Sequence, residues 1–141
     1  MNSKEQQKAY DDWEERCLIR HGFLIHHVIN PDNEGTQGIP ILDSHTHGVL
    51  EKWDHPEIQL IFPPGMLADG CEGALIHAVV DQIREGTKFQ EGGEYEKILK
   101  GKFRATFIKA GENLRLILPD PEGNLHSTNP PYAIQRSAKI L

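Results

Sequence analysis

The order of apolar patterns predicts an α+β fold, with a mixed or antiparallel sheet of about five strands and two main helices packed on one of its faces. Three observations carry that expectation. Short apolar runs bounded by turn residues stand on both sides of one long helical stripe. Two alternating runs joined by a glycine turn follow the stripe. Repeated strand-helix alternation is missing, and no GxGxxG or phosphate-loop sequence follows any strand, which argues against a doubly wound nucleotide fold. At 141 residues the chain has the size of one domain, 1–141.

Ser3 and Gln6 fit a capping box, and Tyr10, Trp13 and Cys17 recur at helical spacing among charged residues, which predicts an amphipathic helix over 4–20 within an amino-terminal segment 1–21. His21 and Gly22 end it. Residues 23–29 read as a buried strand, apolar except for His26 and His27, which as strand neighbours face opposite sides and cannot share a ligand. Pro31, Asp32, Asn33, Gly35 and Gly38 mark a loop. A second strand is expected over 39–45. A third, after a turn at Trp53, Asp54 and His55, spans 57–62 and stops at Pro63 and Pro64.

The stripe of Leu67, Cys71, Leu75, Val79 and Ile83 predicts a helix over 66–85 with Gly86 as its cap. Gly70 and Gly73 weaken that helix by about 0.8–1 kcal/mol each, so a close backbone approach is expected there. A hairpin of 102–109 and 113–118 turns at Ala110, Gly111 and Glu112. Beyond it the prolines and glycine from Pro119 to Pro131 predict an irregular segment, 119–141.

Fifteen basic against 21 acidic residues give a net charge of −6, the wrong balance for a partner held by phosphate neutralisation, so nucleic acid is excluded. No apolar run reaches membrane-spanning length, which removes a membrane partner, and the first residues are too polar for a signal sequence. Cys17 and Cys71 lack metal-type spacing and read as small core residues. The expected setting is a reducing cytoplasm.

Asp43, Ser44, His45, Thr46 and His47 form a DxHxH pattern that resembles the first metal-binding strand of amidohydrolases and related metal-dependent hydrolases. On a strand, His45 and His47 would present two imidazoles to one divalent ion, with Asp43, His55 and Glu57 as candidates for further ligands or a base. Such a site holds a water whose pKa the metal lowers. That family uses a barrel of about 250 residues, which this chain cannot build. The preferred reading puts His45 and His47 in a solvated polar turn between two strands. His77 reads as a boundary residue, and no serine sits in a GxSxG elbow.

A second resemblance covers most of the chain beyond the first helix. Gly22 and Phe23 with their strand, His55-Pro56-Glu57 opening the strand to Phe62, the helix closing on Arg84-Glu85-Gly86, the segment Gln90 to Gly93, the strand pair, and the ending Pro119 to Gly123 together resemble the domain-of-unknown-function family 4262. Between Ile39 and Trp53 the chain departs from that family's threonine, glycine and small apolar run. The resemblance implies a fold and a cellular setting and names no activity. Within the tripeptide, Pro56 disfavours helix at His55. Glu57 would stand near that imidazole, pinning the turn or forming an acid and base couple, and pinning is preferred.

The function expected on these grounds is that of a non-enzymatic accessory or binding protein, with homodimer formation open, holding a protein or small-molecule partner at the sheet face or near His55. The alternative is a small metal-dependent hydrolase using Asp43, His45 and His47 with His55 and Glu57.

Overall fold

A computed structural model describes residues 2–31, 35–67 and 70–139. Helix α1 runs Ser3–His21, capped by Asn2 and not by Ser3: the Asn2 side chain accepts from the Glu5 amide at 2.8 Å, and the Glu5 carboxylate accepts from the Asn2 amide at 3.2 Å. Gly22 closes the helix in the left-handed region. Strands β1 (Leu24–Asn30) and β2 (Ile41–His47) pair antiparallel; of the loop between them, Asp32 and Asn33 lie outside the described residues. A short helix α2 (Val49–Trp53) leads to β3 (Ile58–Phe62), and α3 (Cys71–Arg84) crosses the sheet before β4 (Glu94–Tyr95), β5 (Ala105–Ala110) and β6 (Asn113–Ile117). Helix α4 (Pro130–Ser137) follows.

The sheet is mixed and has six strands in the order β1-β2-β3-β6-β5-β4, with β3 and β6 parallel and the other pairs antiparallel. Its central strand β3 is buried at every position because both faces are covered. Leu60 and Phe62 point to one face, where Ile76, Val79, Val80 and Ile83 of α3 close the main core. Ile61 points to the other, where it meets Ile41 and the α4 residues Ile134 and Ala138.

The α+β class and the central elements agree with the sequence, and several details differ. The helices do not share one face, since α3 and α4 lie on opposite sides. The segment 119–141 is not irregular throughout, because Pro130 and Pro131 open α4 at the positions where a missing amide costs nothing. Helix α3 begins at Cys71, not at 66; residues 68 and 69 lie outside the description. A Cβ on Gly70 or Gly73 would meet nothing within 4 Å, so no close approach explains either glycine. Cys17 and Cys71 are half-buried free thiols, not core residues. Helix α1 buries none of its side chains, so its amphipathic pattern does not seat it in the core. Among the described residues no helix is long and apolar enough to cross a membrane.

Candidate metal centre

Strand β2 continues through His47, so His45 and His47 belong to a strand and not to a turn. Their alternation places Ile41, Asp43, His45 and His47 on the α4 face of the sheet, while Ser44 and Thr46 point to the α3 face. Antiparallel pairing with β1 sets His26 opposite His45 and Leu24 opposite His47. His26 thereby joins the same face as the pair, one step across and one step diagonal, which is within side-chain reach.

The three imidazoles form a compact triangle. Ring centroids are 4.4 Å apart for His26 and His47, 5.0 Å for His45 and His47, and 5.7 Å for His26 and His45. One nitrogen from each ring lies within 4.8 Å of the other two. Nitrogens sharing a tetrahedral ion stand about 3.3 Å apart, so small side-chain rotations bring the three onto one centre. His26 and His45 are half-buried and His47 is exposed, which leaves one side of the triangle open to solvent.

The groups behind the rings fix their orientation. His45 Nδ1 lies 3.1 Å from Asp43 Oδ1 and donates to it, which leaves the Nε2 lone pair available. Asp43 Oδ1 also accepts from Gln59 Nε2 at 3.2 Å, and Gln59 Oε1 accepts from Arg115 Nε at 2.9 Å. Arg115 Nη1 then donates to the carbonyls of Gln135 and Ala138 at the end of α4, both at 2.9 Å. Asp43, Gln59 and Arg115 are all buried, so this line of hydrogen bonds runs from the histidines through the middle of the sheet to α4. On β1, His26 Nε2 lies 3.1 Å from Glu14 Oε2 and 2.8 Å from Tyr10 Oη, both on α1.

Charge follows this arrangement. The hydrogen bond that His45 donates to Asp43 holds its imidazole above its usual value, against partial burial, which acts the other way. Burial, with His26 and His45 alongside, pushes His47 below its usual value and so toward the neutral form that binds metals. Burial also lowers Arg115, and Asp43 opposes that.

His55 and Glu57 stand apart from the triangle and make structural contacts. The buried His55 ring accepts the Phe89 amide at Nε2, 3.1 Å, so its Nδ1 carries the proton and donates to the Pro56 carbonyl at 2.9 Å. Neither nitrogen is left for an ion. The Glu57 carboxylate accepts from Thr46 Oγ1 at 2.8 Å and from the amides of Gly48, Val49 and Leu50 at the start of α2. Both residues do pin this turn, each to backbone, and no hydrogen bond joins one to the other. Asp43 holds the His45 ring through its hydrogen bond and lies outside the group of three converging imidazoles.

Sequence reasoning missed His26. The signal lay in its strand alternation, but only the register across the β1–β2 hairpin shows which of His26 and His27 faces His45. His27, on the opposite side, contacts Ser44 Oγ at 2.7 Å. Comparison of the chain with family models, with curated proteins and with solved structures finds no match in any of the three.

Proposed function

We propose that this protein binds one divalent transition-metal ion, of the zinc class, through His26, His45 and His47, and that the site serves metal-assisted hydrolysis of a small substrate. One observation carries this reading: three imidazoles from two paired strands converge with a nitrogen each within 4.8 Å. Three neutral nitrogen donors suit zinc, copper, iron or nickel, and a three-histidine set with its exposed side open leaves a position for water and substrate. An ion there would supply a Lewis acid and a water acidified toward neutrality. The protein's own part is orientation, with Asp43 fixing the proton of His45 on Nδ1. The free thiols of Cys17 and Cys71 suit a reducing, cytoplasmic setting.

Cobalt titration followed by visible absorption tests the reading. One equivalent should develop the bands of a low-symmetry cobalt site, zinc should displace it, and Ala at His26, His45 or His47 should weaken binding at least tenfold. Stoichiometric binding that survives all three substitutions contradicts the assignment. Hydrolysis is read separately, as zinc-dependent turnover of an activated ester by the wild type that the same substitutions abolish.

The binding-protein reading keeps one specific support, an apolar cavity of about 300 Å³ lined by Phe62, Leu67, Leu99, Phe103, Leu118 and Tyr132. Its occupant would be a small apolar molecule. An environment-sensitive apolar dye should brighten on the wild type and lose that response when Leu118 is replaced by a larger residue that fills the space.

A further inference from the structure

Among the described residues, hydrogen bonds from the side chains of helix α1 or to its last carbonyl join it to the rest of the protein at two places. At its carboxy end, Arg84 Nη2 donates to the His21 carbonyl at 3.0 Å, and Gly48 packs so closely that a Cβ there would lie 2.9 Å from the Gly22 carbonyl. Along its length, Tyr10 and Glu14 reach His26. Between these points packing is thin. None of the helix residues is buried, Glu14 and Cys17 alone are even half-buried, and a cavity of about 310 Å³ lies under Trp13 and Cys17 against Phe23, Ile25, Gly73 and His77. The distance from Tyr10 to Gly22 along the helix is about 18 Å, so among the described residues the hydrogen bonds that tie the amino-terminal half to the sheet are those with His26.

That contact bears on one of the three histidines. A neutral His26 that donates from Nε2 to Glu14 keeps its proton there and leaves Nδ1 for an ion, the same arrangement that Asp43 imposes on His45 with the nitrogens exchanged. Resting on the metal-binding reading, we propose that Glu14 and Tyr10 are positioning residues for the ion and that α1 is a metal-fastened helix. Occupation of the site and docking of the amino-terminal half of α1 are then one linked equilibrium, in which each favours the other by the same factor. An ion on Nδ1 makes the Nε2 proton a stronger donor, which tightens the hold on α1. Releasing the helix would open the cavity beneath Trp13 and Cys17.

The test uses the full chain with zinc or cobalt alone as the probe, hydrogen exchange of the α1 amides, and the variants Glu14→Gln with Tyr10→Phe and, as a control, Glu15→Gln. Glu15 is exposed on the same helix and removes the same charge without touching His26. In the wild type, saturating zinc should slow exchange over 5–14 by at least tenfold. The double variant should bind cobalt 10–100-fold more weakly with bands of unchanged shape, and at saturation its α1 exchange should stay fast. The control should behave as the wild type.

Wild-type protein that binds zinc with no change in α1 exchange overturns the linkage and leaves the metal reading standing. A double variant that binds cobalt as tightly as the wild type, or with altered bands, overturns the positioning role. Failure of the wild type to bind either ion removes the metal reading and this inference with it.

Discussion

The imidazole of His55 has both nitrogens in use, one accepting the Phe89 amide and the other donating to the Pro56 carbonyl, so the folded protein needs it neutral. Burial, the largest influence, pushes its pKa below the usual value. The native state therefore binds fewer protons at this group than the unfolded chain does. The stabilisation is complete above the unfolded value, about 6.5, and is lost as pH falls from there through the lower folded value. His55→Ala should cost about 1–3 kcal/mol at neutral pH, because two backbone groups lose their partner. In urea unfolding with a chelator present, the variant should also show a shallower loss of stability than the wild type as the pH falls below 6.5. An unchanged pH dependence would mean that His55 is not the group responsible. At this scale the sequence made the HxH pair and the pinning role of His55-Pro56-Glu57 legible. It hid His26, whose partners come from another strand and from α1.

At the scale of elements, the junction of α1, β2 and α2 turns on Gly48. Its φ of 106° is one that side chains rarely adopt, and an added Cβ would meet the Gly22 carbonyl. Gly48→Ala should destabilise the fold by about 1–3 kcal/mol, measured by urea unfolding, and should raise hydrogen exchange at the end of α1. A substitution without effect would show that this junction yields easily. Elements with a strong period of their own, such as α3 and the β5–β6 hairpin, were legible before the fold was known. Those whose signal depends on context were not. Pro130 and Pro131 stop a helix when they fall inside one and start a helix when they precede it, and the sequence does not say which until Ile134 finds Ile41 and Ile61. Strand β4, of two residues, has no period to read.

At the scale of the whole molecule, the sheet divides two kinds of interior. The α3 face is an apolar core. The α4 face carries the polar line from His45 through Asp43, Gln59 and Arg115 to the end of α4. Arg115→Met keeps the bulk and removes the charge, leaving the carbonyls of Gln135 and Ala138 without this donor. It should cost on the order of 3 kcal/mol, seen as a lower urea midpoint, and should weaken metal binding through Gln59 and Asp43. A variant as stable as the wild type would show that the line is dispensable. Binding at the histidines should in turn stabilise the fold by mass action, about 2.7 kcal/mol at a hundredfold excess of zinc over its dissociation constant. None of this division was legible in the sequence, since it depends on which face each strand turns to which helix.

An anomalous difference map at the zinc edge, from crystals of the full chain grown with one equivalent of zinc, tests most directly whether the three histidines share an ion. The expected result is a single strong peak about 2.0–2.1 Å from one nitrogen each of His26, His45 and His47, with Asp43 still bonded to His45 Nδ1. A map with no peak there, or with zinc bound only elsewhere, would contradict it.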